Sequence, residues 1–145
     1  MAAGTAHAVD KGMPIDVIPE TYRRLLDEAV IAALGTVRPD DTAQVNPMWF
    51  FYDAETETLR FTHTSKRAKY RNLQQNPSMS LAIVDPDDRY SYVEIRGRLV
   101  EAIPDPTGAF YVFLQNRYGN PSDVPPADSP DRVILVMSME HSTHQ

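Results

Sequence analysis

The chain has 145 residues, of which 42% are hydrophobic, so it is long enough for one domain with a substantial core and too short for two. It contains no cysteine, which excludes disulfide scaffolds, thiol nucleophiles, zinc–thiolate sites and iron–sulfur clusters. Its net charge of −6 argues against a general affinity for nucleic acid or anionic membranes, so any anion-binding site must be local.

The start of the chain has no regular pattern. Residues Met1–Pro14 mix alanine, glycine and charged groups, and we interpret them as a flexible arm in front of a single domain over residues 15–145. Residues Met1–Asp10 lack the basic start and the apolar stretch of a secretory signal. No apolar run reaches the roughly 20 residues that span a bilayer. The sequence therefore predicts a soluble, cytoplasmic protein.

The first half of the domain predicts a short helix and three strands. Pro19-Glu20 and the apolar spacing that follows indicate an amphipathic helix that caps the sheet. The runs Val30–Val37 and Ala43–Tyr52, separated by the turn Arg38–Asp41, predict a hairpin. The alternation in Thr58–Thr64 predicts a third strand, so these strands form a meander.

A helix and two further strands follow. The segment Lys66–Gln75 has good helix formers and stops at Asn76-Pro77. The runs Ser78–Val84 and Tyr90–Ala102 predict strands. Gly97, in the middle of the second run, indicates a bend or bulge of the kind that a closing barrel needs.

The last part of the chain predicts one more helix and one more strand. Asp105-Pro106 and Gly119 carry the signals of a helix start and a helix end. Arg132–Met137 is apolar enough for a final buried strand, and Glu140–Gln145 is expected to trail off. The order α-β-β-β-α-β-β-α-β, with short turns between neighbouring strands, predicts an antiparallel sheet curled into a barrel.

Four of the fourteen cationic residues fall within six positions of this acidic chain, directly after a predicted strand. They are Lys66, Arg67, Lys69 and Arg71. Strand-end hydroxyl residues followed by a helix start expose unpaired backbone N–H groups and the positive end of a helix dipole. The segment is therefore a candidate cradle for a phosphate or a polycarboxylate. The alternative interpretation is a solvated basic helix face.

The same segment resembles the strand–helix–strand unit of the pyridoxamine-phosphate-oxidase-like proteins. The resemblance rests on residues 61–73, Asn76-Pro77 and Ser80-Leu81, together with Gln44–Trp49, Val84–Pro86 and Tyr92–Gly97, and it extends over about residues 20–137. It implies a mainly β fold: a six-stranded antiparallel split β-barrel with short capping helices. It also implies a homodimer whose cofactor sites lie along the subunit interface.

Within that superfamily the sequence is similar to the actinobacterial branch that uses the 5-deazaflavin coenzyme F-420. In that branch an Arg-x-Lys pair contacts the cofactor phosphate, and the pair falls here on Arg67 and Lys69. The resemblance also implies that the strand Asn46–Trp49 lies against the tricyclic ring. The predicted cofactor-binding residues are Asn46, Pro47, Met48, Trp49, Thr62, Thr64, Ser65, Lys66, Arg67, Lys69, Arg71 and Asn72.

The implied function is hydride transfer between reduced coenzyme F-420 and a small conjugated or heteroaromatic substrate. Four clustered cations suit the oligoglutamate tail of this cofactor better than a single phosphate, which favours deazaflavin over FMN. An FMN-dependent reductase or oxidase of the same fold, and a non-catalytic carrier of flavin, deazaflavin or haem, remain alternatives. A true pyridoxamine-phosphate oxidase fits less well, because the chain ends in Met139–Gln145 without a basic and aromatic tail.

Single residues of the candidate site also have ordinary structural interpretations. Trp49 alone fits a core anchor beside an edge-strand proline. Thr62 and Thr64 fit cross-strand pairing. His63 titrates in the physiological range and is a candidate proton donor, but alternation places it opposite the two threonines, which favours a surface or packing role.

No residue is assigned as catalytic or as a metal ligand from the sequence. It has no glycine-rich nucleotide loop and no recognisable grouping of serine, histidine and acid. The spacing His141-x-x-His144 lacks a third ligand, so no metal site is predicted. A missing nucleophile is expected if a cofactor carries the reaction.

Overall fold

The computed structural model describes residues 18–145 as one sheet with three short helices. The predicted arm, Met1–Pro14, lies outside the described residues. The helices are α1 (Glu20–Asp27), α2 (Ala68–Gln75) and α3 (Ala109–Arg117), and a single 3-10 turn covers Ser129–Asp131. Within the described part of the chain, no helix is both long enough and apolar enough to cross a membrane.

Eight antiparallel strands form the sheet. They are β1 (Ala32–Val37), β2 (Ala43–Met48), β3 (Phe51–Asp53), β4 (Thr58–Thr64), β5 (Ser78–Asp85), β6 (Asp88–Pro104), β7 (Arg132–Ser138) and β8 (His141–His144). Their order is β2-β1-β5-β6-β7-β4-β3, with β8 paired to β6. Over residues 18–145 the end strands β2 and β3 do not pair, so the barrel is split. The predicted mainly β split-barrel fold is confirmed, with eight strands instead of six.

The predicted strand Ala43–Tyr52 is interrupted at Trp49 and Phe50. The chain leaves its pairing with β1 after Met48 and pairs with β4 from Phe51. Tyr118 stabilises the chain at this interruption, because its hydroxyl accepts a hydrogen bond from the Phe50 amide at 3.0 Å. The break carries Trp49 away from the barrel core and towards the candidate site.

The chain end Glu140–Gln145, which we expected to trail off, forms β8. It pairs with residues 93–96 of β6, a part of that strand that β7 leaves uncovered. The backbones of Tyr92 and Gln145 exchange two hydrogen bonds at 3.0 Å. The unpaired backbone groups of β6 thus hold the polar chain end in a strand, although that segment has no apolar alternation of its own.

The irregularity of β6 lies two residues beyond Gly97, where the sequence predicts a bend or bulge. Strand β6 pairs with β5 up to Arg98 and with β7 from Leu99, and its register shifts between Leu99 and Glu101. A Cβ atom built on Gly97 lies 1.9 Å from the Ser138 carbonyl oxygen. Only glycine therefore fits where β6 passes the end of β7.

The inward positions of the strands and one face of α1 form a single core. Leu25 and Leu26 of α1, and Leu34, Phe61 and Ile95 of the strands, are all at most 1% exposed. Fully burying a side chain of this size contributes about 1.5–3 kcal/mol. Hydrophobic burial therefore fixes α1 to the sheet, as the sequence predicts for a capping helix.

Helix α3 begins later than its sequence signals suggest. Its N-cap is Gly108, which has a φ of 71°, and not Asp105. The Asp105 side chain still accepts the Phe110 amide at 3.0 Å, so it caps the first turn from a preceding loop. This helix carries Tyr111 towards the candidate site, and Tyr118 follows at its C-terminal end.

Candidate functional site

Two cavities adjoin each other where β2, the end of β4 and the start of α2 meet. The larger has a volume of about 550 Å³ and the smaller about 320 Å³. Both are lined by Pro47, Met48 and Thr62. Because they share these three residues, the two cavities are adjacent, and we call them together the groove.

The larger cavity is the cationic end of the groove. Besides the three shared residues, its lining includes Gln44, Asn46, His63, Arg67, Lys69 and Arg132. The cations come from two places in the fold, the start of α2 and the start of β7. An otherwise acidic protein therefore concentrates positive charge in one cavity.

Lys69 is the most unusual residue of the cationic end, because it is only 5% exposed. Among residues 18–145 no carboxylate forms an ion pair with it. Its Nζ lies 3.5 Å from the Met48 sulfur. Burial, and then the positive charge of Arg67, lower the pKa of Lys69. Buried ammonium groups are normally paired, so this one fits an anion that comes from outside the chain.

Arg132 belongs to the cationic end, and the sequence analysis missed it. It begins β7 and pairs in register with Thr64. Its Nε and Nη2 donate to Asp128 at 3.0 and 3.2 Å. Its Nη1 lies 3.5 Å from Thr62 Oγ1, and its guanidinium lies 4.7 Å from the centroid of the Tyr111 ring. These contacts fix the guanidinium between the cationic end and the aromatic residues of α3.

His63 also lines the larger cavity, and it is buried and not on the surface, with 6% of it exposed. Within the described chain its Nε2 has no hydrogen-bond partner. Burial, and then the positive charges of Lys69, Arg67 and Arg132, lower the pKa of His63 to about 4. The imidazole is therefore neutral at pH 7.

The smaller cavity is the apolar end of the groove. Its lining is Ile31, Pro47, Met48, Trp49 and Thr62. Pro47 lies on the edge strand β2, as expected, and has no amide hydrogen to donate. This end of the groove can therefore hold a flat apolar group beside an interrupted edge of the sheet.

Trp49 forms an aromatic wall with Tyr111 and Tyr118 at the apolar end. The Trp49 and Tyr118 rings stack with centroids 5.2 Å apart and planes inclined by 15°, and Tyr111 lies at 6.2 Å. The Tyr118 hydroxyl donates to the Val30 carbonyl at 2.8 Å, which holds its ring in place. Trp49 is half-buried and outside the core cluster, so its interpretation as a core anchor is wrong.

The groove brings together seven of the predicted cofactor-binding residues. They are Asn46, Pro47, Met48, Trp49, Thr62, Arg67 and Lys69. The five that do not line it are Thr64, Ser65, Lys66, Arg71 and Asn72. The strand before the break and the start of α2 thus line the groove, and the connecting turn does not.

The connecting turn has a structural role. Thr64 is buried, and its Oγ1 accepts the Lys66 amide at 3.1 Å. The Ser65 amide donates to the Asp131 carbonyl at 3.0 Å and the Arg67 amide to the Thr64 carbonyl at 3.4 Å. The expectation that these strand-end amides are unpaired is therefore wrong. Amides without intrahelical acceptors begin only in the first turn of α2.

The other two predicted residues lie further along α2. Arg71 is exposed, and its Nη1 donates to the Lys66 carbonyl at 2.9 Å. Asn72 is buried and lines a separate cavity, which the turn Arg38–Asp41 helps to form. Neither side chain reaches the groove, although Arg71 and the exposed Lys66 keep positive charge on the surface beside it.

The fold recurs in proteins of known structure. It matches an F420 reductase from Mycobacterium with a TM-score of 0.83 and 50% identity, over 87% of this chain and 98% of that one. It matches the conserved hypothetical protein Rv2991 from Mycobacterium tuberculosis with a TM-score of 0.67 and 19% identity, over 93% of this chain and 86% of that one. It matches General Stress Protein 26 from Bacillus anthracis with a TM-score of 0.66 and 19% identity, over 86% of this chain and 91% of that one. The last two likenesses show the fold alone.

The family comparison covers the same part of the chain as the structure. The sequence profile described as pyridoxamine 5'-phosphate oxidase matches residues 18–145, which include every helix and strand named above. With the 50% identity to a solved relative, this match confirms the family inferred from the cationic segment and its neighbouring strands. The chain is a member of the pyridoxamine 5'-phosphate oxidase family.

Proposed function

We propose that the protein is an oxidoreductase that binds reduced coenzyme F-420 in the groove and reduces a small conjugated or heteroaromatic substrate. Family membership supports an oxidoreductase-type enzyme. The F420 reductase at 50% identity supports a flavin-like or deazaflavin cofactor. The observation that carries the proposal is the buried, unpaired ammonium of Lys69 at one end of a groove whose other end is apolar and aromatic.

The cationic end fits the phosphate of such a cofactor. Lys69 and Arg67 have no carboxylate partner within residues 18–145, so their charge is available to a ligand. The first-turn amides of α2 add donors and the positive end of a short helix dipole. An arginine donates directional, bidentate hydrogen bonds to phosphate oxygens, and a lysine adds a compact positive charge.

The apolar end fits a tricyclic ring. Pro47 and Met48 supply an apolar floor, and the aromatic wall stands beside it. When bound, reduced deazaflavin supplies the hydride, so the side chains of the groove are left with binding, orientation and exclusion of water. No acid or base among them is assigned to catalysis.

Charge outside the groove favours deazaflavin over FMN. Lys66 and Arg71 are exposed beside the cationic end, where the oligoglutamate tail of coenzyme F-420 would leave the groove. FMN ends at its phosphate and would need only the cations that line the groove. An FMN-dependent reductase or oxidase of the same fold is the second candidate, because the residues that line the groove suit both cofactors equally.

We also infer a homodimer that closes the apolar end. Four large apolar side chains remain 37–64% exposed on the outer face of the sheet: Ile31, Val45, Val84 and Tyr92. Ile31 also lines the smaller cavity, so the exposed face continues into the groove. Exposed large apolar side chains on one face of a sheet are typical of an interface. A second copy of the chain on this face would shield the ring from water.

Two measurements test these proposals. In a fluorescence titration with coenzyme F-420 and an absorbance titration with FMN, Arg67→Ala with Lys69→Ala is expected to weaken binding by at least about tenfold. Arg89→Ala, which removes an exposed cation outside the groove, is the control. Equal affinity of the double variant and the wild type rules out the cradle. Reoxidation of the reduced cofactor by a panel of enones and quinones then separates an enzyme from a carrier.

The oligomeric state is tested separately by sedimentation velocity. Val45→Arg puts a charge on the proposed interface and is expected to give monomers with weaker cofactor binding. Val124→Arg changes a residue that is 67% exposed in the loop before β7, and the dimer is expected to persist. A wild-type protein that sediments as a monomer with cofactor bound contradicts the interface.

A further inference from the structure

One buried group of the groove has no part in the function proposed above, the imidazole of His63. It occupies an inward position of β4, on the same side as Leu59 and Phe61. Unlike those core residues, it lies at the strand end and lines the cationic cavity. Its Nε2 lacks a partner within the described residues, although buried polar atoms are almost always hydrogen-bonded. A missing partner at the wall of a binding cavity points to a ligand.

The charges that lower the pKa of this imidazole are all positive. Arg67 precedes α2, Lys69 lies in its first turn, and Arg132 begins β7. The charge of Arg132 is balanced by Asp128, whereas the other two have no carboxylate partner over residues 18–145. Strand β2 adds only neutral side chains to the cavity. The imidazole therefore lies in a field of uncompensated positive charge.

We propose that His63 is a further anion-binding residue of the groove, which takes up a proton when an anionic group settles among the three cations. A buffer acid gives up the proton, and a new N–H bond forms on the imidazole. The resulting imidazolium adds a fourth positive charge around the anion. This inference rests on the proposed function, since the anion is the charged end of the cofactor, but it holds for deazaflavin and FMN alike.

The energetics follow from the sign of the local field. Without an anion, burial and the three cations hold the pKa of His63 at about 4. A bound anion compensates those cations, and an opposite charge nearby favours the charged form by about 1–3 pKa units. The affinity for the anion then rises as the pH falls between the bound-state and free-state pKa values, by at most about tenfold per pH unit for one proton.

An NMR titration of the histidine Cε1–H signals tests this in the wild-type protein. Sodium sulfate is the probe, because its charge is constant between about pH 4 and pH 8, and sodium chloride at equal ionic strength is the reference. The His63 midpoint is expected to rise by at least about one pH unit in sulfate. His144, exposed on β8 and outside the groove, serves as the internal control and is expected not to shift.

Calorimetry with the cofactor gives a second readout that does not depend on turnover. Binding of coenzyme F-420 is measured near pH 5 in two buffers of different ionisation enthalpy, which reports the protons taken up. We expect an uptake of up to one proton in the wild type and in His144→Gln. The uptake is expected to be lost in His63→Gln, or in His63→Asn should the glutamine variant fail to fold.

The outcomes separate this inference from the proposed function. The inference is overturned, and the cradle is left intact, if sulfate shifts the NMR signals of the amides in the first turn of α2 while the midpoint of the His63 titration stays unchanged. Equal proton uptake in the wild type and the His63 variants leads to the same conclusion. If neither sulfate nor either cofactor binds, the cradle itself is wrong, and both proposals fail together.

Discussion

The Lys69 ammonium lies 3.5 Å from the thioether sulfur of Met48. This contact joins the first turn of α2 to the edge strand β2, and Met48 lines both cavities of the groove. A thioether is a weak acceptor, so it leaves the lysine charge uncompensated. The same contact thus holds the cation beside the apolar end. An elongated ligand with one charged end would place the boundary between its charged and apolar parts at this point.

Lys69→Met is expected to make the protein more stable and a weaker binder. The substitution replaces a buried, unpaired cation by an apolar side chain of similar length, and such replacements stabilise by about 1–4 kcal/mol when packing is kept. The loss of the cation is expected to weaken the binding of coenzyme F-420 or FMN by at least about tenfold. Thermal unfolding without ligand and a binding titration measure the two effects. A variant that loses both stability and affinity would show that Lys69 is part of the structural core.

Acid is expected to destabilise the ligand-free protein through His63. The folded-state pKa of about 4 lies below the ordinary value of 6.5, so the unfolded chain binds more protons between these values. Stability from this group is therefore complete above about pH 6.5 and is lost as the pH falls to about 4, by about 3 kcal/mol in total.

Urea unfolding at several pH values measures this loss. Because other groups also titrate in acid, the test is the difference between the wild type and His63→Gln, whose free energy of unfolding is expected to depend less on pH. His144→Gln is the control and should keep the full slope. Parallel curves for the wild type and His63→Gln would contradict the lowered pKa.

Local patterns predicted the strands and helices of this fold well where side chains alternate between core and solvent. Strand β4 has the predicted bounds Thr58–Thr64, because its inward residues are buried in the order that the alternation indicates. Strand β8 was missed because His141–His144 is polar, and its order depends on an open edge of β6. A segment that becomes a strand only by pairing with a neighbouring strand does not need an alternating sequence pattern of its own.

The candidate site shows the same limit. Arg67 and Lys69 were predicted from a local cluster of charge and from the family resemblance. Arg132 joins them only because β7 pairs with β4, which places it opposite Thr64 although the two are far apart in sequence. Asn72 was expected beside the cations, but its position further along α2 directs it to another cavity. Pairing between strands distant in sequence decides these placements, and one sequence does not reveal it.

Gly97→Ala is expected to destabilise the protein by several kcal/mol, on the order of the largest single-residue effects. The new Cβ would meet the Ser138 carbonyl oxygen at 1.9 Å, and backbone cannot move aside cheaply where two strands are paired. Gly35→Ala is the matched control, because its Cβ meets nothing closer than 3.5 Å. Chemical denaturation measures both. Equal stability of the two variants would show that β6 can shift past the end of β7.

Tyr118→Phe is expected to weaken both the fold and the aromatic wall. The hydroxyl accepts the Phe50 amide at 3.0 Å and donates to the Val30 carbonyl at 2.8 Å, and Phe50 is fully buried. Its loss leaves a buried amide without an acceptor, which costs about 1–3 kcal/mol. Since the Tyr118 ring also supports Trp49, cofactor affinity is expected to fall with stability. Tyr90→Phe removes a hydroxyl from a residue that is 86% exposed and should change neither, so denaturation and cofactor titration of the two variants isolate the contribution of the buried hydroxyl.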